Sequence, residues 1–238
     1  MGINKESSAY TFTFSIIMVV VVGAVLASLS LGLKPLQDEN RKVKKQMDIL
    51  SAIGIESDRS NASDKYEKFI TGSYVISSSG DILEGEDAFF VDVQKQIRDK
   101  TIKPEDRHFP IFEAETEAGK KYVLPVVGKG LWGPIWGYVA LGSDMETIVG
   151  VSFDHKGETP GLGAEINQSF FQDRYKDARI SIDGRFTPVT VVKDGTGSSD
   201  PQKVDGITGG TITSKGVEEM MNRTLRVYQA YFSNKSNS

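Results

Sequence analysis

Polarity changes abruptly along this 238-residue chain, and the first change is the deepest. Ser7 to Leu33 holds no charged side chain, and from Thr11 onward the run is mainly apolar. The 23 residues from Thr11 to Leu33, at about 1.5 Å each, make a helix of roughly 34 Å, enough to cross a hydrocarbon core of about 30 Å. Lys5 and Lys34 bracket the run, and Tyr10 stands where an interfacial aromatic belongs. Ala27-Ser28-Leu29-Ser30 offers small residues to a signal peptidase, but cleaved signals have apolar cores of only about 7–15 residues. The length therefore predicts an uncleaved transmembrane helix over residues 10–33, after a short tail of residues 1–9. Gly23/Ala27, Ala24/Ser28 and Ser28/Gly32 space small residues four apart. That spacing lets a neighbouring helix approach closely, and it is also ordinary membrane-helix composition.

Beyond Leu33 the period changes. Leu36, Val43, Met47 and Leu50 recur at helical spacing, which predicts an amphipathic helix to about Ile53 with Pro35 at its entrance. Residues 54–64 are polar and read as a linker, so 34–64 joins the membrane helix to a domain over 65–238. There, β-branched runs predict strands at 74–77, 88–93, 110–114, 121–127, 135–141, 147–154 and 188–193. Glu117-Ala118-Gly119-Lys120 reads as a hairpin turn. Ile135, Gly137, Val139 and Leu141 alternate as in a half-buried strand. Helices are expected at 93–100, 164–172 and 214–232, the last with Val217, Met220, Met221, Leu225, Tyr228 and Phe232 on one face. Strands and helices without regular alternation predict an α+β domain, a mixed, mainly antiparallel sheet with flanking helices.

Composition narrows the chemistry. With no cysteine, the chain has no thiolate for iron–sulfur clusters, zinc or nucleophilic catalysis. Two histidines, His108 and His155, are too few for a multi-histidine metal site. No Walker loop or Ser/His/Asp pattern is visible, so any redox work falls to an organic cofactor. Residues 1–45 carry net +3 and the remainder net −7, an acidic balance that disfavours nucleic acid as a partner. Lys34, Arg41, Lys42, Lys44 and Lys45 follow the apolar run, against Lys5 before it. Taken literally, the positive-inside rule puts the C-terminal domain in the cytoplasm, although Asp38 and Glu39 dilute the cluster.

Residues 205–214 read Asp-Gly-Ile-Thr-Gly-Gly-Thr-Ile-Thr-Ser, directly before the last predicted helix. A helix start has unpaired N–H groups and partial positive charge, and glycines let its backbone approach a ligand closely. Such a turn suits a phosphate-bearing group, with Thr208, Thr211, Thr213 and Ser214 as candidate modification sites. Its plainer alternative is a polar turn in which Thr213 or Ser214 caps the helix. A second turn, His155-Lys156-Gly157-Glu158-Thr159-Pro160-Gly161-Leu162-Gly163, has the Pro-Gly order of a tight turn. His155 reads there as a structural or solvent-facing residue. In Gly130-Leu131-Trp132-Gly133-Pro134-Ile135-Trp136-Gly137, Leu131 and Trp132 can wall a flat ring while Trp136 belongs to the core.

These segments carry a resemblance. Asp205 to Thr213 resembles the flavinylation signature Asp-x-x-Ser/Thr-Gly-Ala-Thr-x-Ser/Thr of bacterial FMN-binding domains, with Gly210 in place of the commoner alanine. Glu158 to Gly163 resembles their Glu-Thr-Pro-Gly-Leu-Gly motif, and Gly130-Leu131-Trp132 their Gly-Leu-Trp element. Within those domains the chain is similar, over nearly its whole length, to the NqrC-like family of sodium-translocating NADH:quinone reductases. The resemblance implies covalent FMN on Thr211 through a phosphoester. It places Leu131, Trp132, Glu158, Thr159, Gly161, Leu162, Gly163, Thr208, Gly209 and Gly210 around the cofactor, with Thr159 and Leu162 closest to the ring. It further implies a flavin transferase that reads Asp205, Thr208, Gly209 and Thr211, and a periplasmic domain on a single helix in the bacterial inner membrane. The partners it implies are the other subunits of the reductase complex and membrane lipid, with no NADH or sodium site in this chain. Lys193 and Lys215 are candidates to offset phosphate charge. Two other readings stay open: the related FMN-bearing subunit of the ferredoxin:NAD oxidoreductase complex, and a cofactor-free membrane-tethered scaffold.

Overall fold

The structure, a computed structural model, describes residues 7–236. Residues 1–6 of the N-terminal tail, Lys5 among them, and residues 237–238 lie outside it. The described chain forms two compact units that divide after Lys44. Helix α1, Ser8–Ala52, is the one element shared by both. It contains the apolar run, unburied and long enough to cross a membrane. The expected helix start at Pro35 is absent: α1 passes through Pro35 without ending. A proline inside a helix forfeits one backbone hydrogen bond, and the regular turns on both sides retain theirs.

In the second unit a six-stranded antiparallel sheet runs in the order β2-β1-β3-β4-β5-β6. Its strands are β1 (Ile70–Ser77), β2 (Ile82–Leu83), β3 (His108–Thr116), β4 (Gly119–Lys129), β5 (Pro134–Leu141) and β6 (Ile148–His155). Residues alternate between its faces, and each face is covered. Ile49 and Leu50 at the end of α1, and Ile53 just after it, pack with Val75, Phe112, Val123 and Tyr138 on one side. On the other, Val217, Met220, Met221, Leu225 and Tyr228 meet Ile111, Leu124, Val126, Ile135 and Val139. Those five helical residues belong to α5, Thr211–Ser236, whose burial stripe is the one its spacing predicts. Burying each such side chain contributes about 1.5–3 kcal/mol.

Two prolines shape the middle of this sheet. The β3–β4 ladder runs from Thr116↔Gly119 to Phe112↔Val123, although both strands continue past that pair. Pro110 and Pro125 lie just beyond it, where a residue without an N–H cannot extend the ladder. The buried Tyr228 hydroxyl of α5 donates to the Pro110 carbonyl at 3.0 Å, so the helix supplies a donor where the ladder stops.

Several expected elements differ. The run 88–93 is a turn leading into α3 (Val93–Arg98), not a strand. Asp87 accepts from the Phe89 N–H and Asp92 from the Lys95 N–H, both at 2.8 Å, and these side-chain caps override the β-branched bias. The expected linker 54–64 gives way at its end to α2, Ala62–Phe69. The expected helix 164–172 is instead a 3-10 turn, Gly163–Asn167, then α4 (Ser169–Gln172) and a second 3-10 turn, Asp173–Tyr175. The strand expected at 188–193 shortens to β9, Thr190–Val192, paired in parallel with β10, Lys203–Asp205. Between α4 and β9, β7 (Ser181–Ile182) and β8 (Arg185–Phe186) form a small hairpin.

Lys45, in the folded unit, donates to the Phe89 carbonyl and stands 4.6 Å from the Phe89 ring centroid. Burial pulls its pKa down to about 8, while Asp92 and Asp87 push the other way. Between about pH 8 and the ordinary lysine value, the unfolded chain binds a proton that the folded chain has released. Stability therefore rises with pH in that window. Urea unfolding of the full chain and of Lys45→Met at pH 7 and pH 10 is expected to show the difference moving in the parent's favour at the higher pH. A constant difference would place the Lys45 ammonium in water-like surroundings.

Candidate functional site

Three loops meet at one end of the sheet because of strand order. Since β5 runs antiparallel to both neighbours, the end of β4, the start of β5 and the end of β6 share an edge. Lys129 faces Pro134, and Ile135 faces His155. The loop 130–133 closes the β4–β5 hairpin with a Gly130 N–H to Gly133 carbonyl bond of 2.8 Å. The loop 156–163 leaves β6 beside it. The third segment, 205–211, arrives with α5, which crosses β4 at very short range. A Cβ on Gly128 would lie 2.6 Å from Met220 Cβ, and one on Gly216 would lie 2.4 Å from the Lys129 carbonyl. Only glycine at both positions lets the helix start reach the sheet edge.

Within the third segment, Ile207 to Gly210 form a turn closed by a Gly210 N–H to Ile207 carbonyl bond of 2.9 Å. Gly209 occupies φ +74°, the left-handed region that glycine tolerates best. Thr211 is the first residue of α5, so the amides of residues 211–213 have no acceptor within the helix. The four hydroxyls differ sharply. Ser214 Oγ is buried, donating to the Gly210 carbonyl and accepting from the Ile207 N–H, both at 3.0 Å. Thr213 Oγ1 is also buried and donates to Glu158 at 2.6 Å. Neither is the helix-capping residue. Thr208 is exposed and Thr211 half-buried, and neither hydroxyl has a hydrogen bond among the described residues.

In the second loop, Thr159 to Leu162 form the expected tight turn, with the Leu162 N–H on the Thr159 carbonyl at 3.1 Å and Gly161 at φ +77°. The Gly161 N–H donates to Glu165 Oε1 at 2.8 Å. Leu162 leans on the third segment: a Cβ on Gly209 would come 2.6 Å from Leu162 Cδ2, and one on Gly210 2.9 Å from the Leu162 carbonyl. Around Thr211 the loops leave large apolar side chains open: Trp132 is 70% exposed, Ile212 60%, Leu131 47% and Leu162 41%. Water is a poor neighbour for four such groups together, and a flat apolar ring suits them.

Glu158 points the other way. It is 5% exposed, its oxygens accepting from the Trp132 N–H at 2.8 Å and from Thr213 Oγ1 at 2.6 Å. His155 Nδ1 accepts from the Glu158 N–H at 3.1 Å, a structural role. Trp136 is half-buried and packs against the core. Lys215 pairs with Glu218 at 2.8 Å, and Lys193 is exposed just after β9. Asp205 Oδ1 accepts from the Gly197 N–H at 3.0 Å, and its carbonyl accepts from Arg174. Sequence reading missed Arg174, and missed Thr213 as the partner of Glu158.

Helix-start amides beside an open apolar wall suit a phosphate-bearing flat ring, and residues 130–226 match the FMN-binding domain family. The C subunit of the Na(+)-translocating NADH-quinone reductase from Haemophilus ducreyi is 31% identical over 230 residues, covering 90% of this chain and 88% of its own. Its counterpart from Pseudomonas aeruginosa is 31% identical, covering 92% of this chain and 91% of its own. The solved C subunit from Parabacteroides distasonis superposes with a TM-score of 0.76 at 40% identity, covering 84% of this chain and 96% of that one. The NqrC structure from Shewanella oneidensis gives 0.68 at 25% identity, with coverage of 84% and 99%. The chain belongs to the NqrC family, the C subunits of Na(+)-translocating NADH-quinone reductases.

Gly209→Ala tests the turn. Its left-handed φ and the close Leu162 side chain both oppose a Cβ, so the variant is expected to lose about 1–3 kcal/mol of stability, read as a lower urea midpoint at unchanged m.

Proposed function

We propose that this chain is an electron-transfer subunit of a sodium-translocating NADH:quinone reductase, with FMN esterified through its phosphate to Thr211. What carries the reading is the contrast among four neighbouring hydroxyls. Thr213 and Ser214 are buried and bonded, whereas Thr211 stands unbonded at a helix start whose free amides suit a phosphate. When bound, FMN supplies reversible electron uptake and release. The chain's residues do the rest. The amides of 211–213 hold the phosphate, Leu131, Trp132 and Leu162 cover the ring, and the turns at 159–162 and 207–210 fix both loops. A tethered cofactor cannot diffuse away from a domain outside the cytoplasm.

The remaining assignments follow the same reading. Residues 10–33 anchor the chain in the inner membrane, 34–64 connect, and 65–238 form the flavin domain on the periplasmic side, against the charge bias. A flavin transferase recognises Asp205, Thr208, Gly209 and Thr211, and the other reductase subunits and membrane lipid are the partners. Asp205 is held by Gly197 through Oδ1 within the fold, which leaves its other oxygen for the transferase, since that oxygen has no hydrogen bond among the described residues.

Co-expression with a flavin transferase is expected to give a band that fluoresces under ultraviolet light on a denaturing gel. The intact mass should rise by that of FMN less one water. Thr211→Ala should lose both signals, and equal fluorescence in the variant would move the attachment elsewhere. A phosphatase reporter fused after Ser238 should be active in the periplasm, and a reporter active only in the cytoplasm would reverse the orientation.

A further inference from the structure

Glu158 lies at the centre of the three loops yet faces none of the open surface they create. We propose that Glu158 is a positioning residue: its two oxygens lock the Leu131–Trp132 wall to the first turn of α5, holding Thr211 at a set place beside that wall. The clamp rests on contacts alone, and its functional meaning rests on the FMN assignment above.

Each oxygen has one strong donor on a different segment. The Trp132 amide binds Oε1 at 2.8 Å, and Thr213 Oγ1 binds Oε2 at 2.6 Å. No lysine, arginine or histidine forms an ion pair with this carboxylate among the described residues. Its burial is therefore tolerated only while both donors are present. Without it, loop 130–133 and α5 keep their backbone approach at Gly216 but lose the polar bridge between the wall and the helix start.

Two motif glycines gain a reason. Neither Gly130 nor Gly163 has a positive φ, so backbone conformation does not demand glycine there. Space does. A Cβ on Gly130 would lie 2.6 Å from Glu158 Oε1, and one on Gly163 would lie 2.5 Å from both Oε2 and Thr213 Oγ1. Both glycines make room for the carboxylate, which links Gly-Leu-Trp, Glu-Thr-Pro-Gly-Leu-Gly and the Thr211–Thr213 turn into one assembly.

The chain has two tryptophans, so selective 15N-tryptophan labelling of the full chain in detergent gives two backbone amide signals, assigned with Trp132→Phe. In flavin-free protein, loss of the acceptor in Glu158→Ala is expected to speed Trp132 amide exchange about tenfold or more, while Glu158→Gln, whose oxygen still accepts, stays within about threefold. In flavin-loaded protein, iodide quenching of the attached flavin should rise about twofold or more in Glu158→Ala as the wall loosens. Unchanged Trp132 exchange overturns the clamp. Faster exchange with unchanged quenching overturns the positioning role. If the parent never acquires flavin while the exchange pattern holds, the FMN reading fails and the clamp stands. Should Glu158→Ala not fold, Thr213→Val cuts only the helix side. It should speed Trp132 exchange about threefold, with recovery in Thr213→Ser, and no change in either overturns the proposal.

Discussion

The close crossing of α5 over β4 is the constraint from which the site follows. Side chains at residues 128 and 216 would hold helix and strand apart. The helix start would then miss the edge where loops 130–133 and 156–163 emerge. With glycine at both positions, a helix N-terminus is set among loops that are far apart in sequence, beside exposed apolar side chains. Helix-start amides, an unbonded hydroxyl and an open apolar wall thus come together through one packing distance.

The core serves this placement from both faces. Residues 49–53 and 217–232 clamp the sheet from opposite sides, so neither face of the central strands depends on solvent. The site itself is built on short loops, but each is tied to a rigid element within a residue or two: β4 and β5, β6, or α5. That is how a fold made mostly of hairpins holds a small site in a chain with no cysteine to form disulfides.

Much of this was legible in the sequence wherever the information is local. The strands from Ile135 to Leu141 and from Ile148 to His155, the burial stripe of α5 and the Pro160-Gly161 turn follow from period and turn chemistry over a few residues. Residues 88–93 show where local reading ends: their β-branched content predicts a strand, but Asp87 and Asp92 capture the backbone amides first. In the site, the motifs lie on three loops that the fold brings together, but they do not reveal the inward turn of Glu158, whose partner Thr213 lies 55 residues away. Nor does a linear pattern tell a glycine needed for its φ, such as Gly209, from one needed for room, such as Gly163.

The interrupted ladder between Pro110 and Pro125 bears on motion. Because the Tyr228 hydroxyl satisfies the Pro110 carbonyl in the gap, α5 cannot lift away without leaving a polar group of the sheet unmatched in the interior. The segment that ends at Thr211 is thereby coupled mechanically to the most buried part of the molecule. On the proposed attachment, a group borne on that residue would inherit the stiffness of the core, the condition under which a redox centre changes charge with little rearrangement around it.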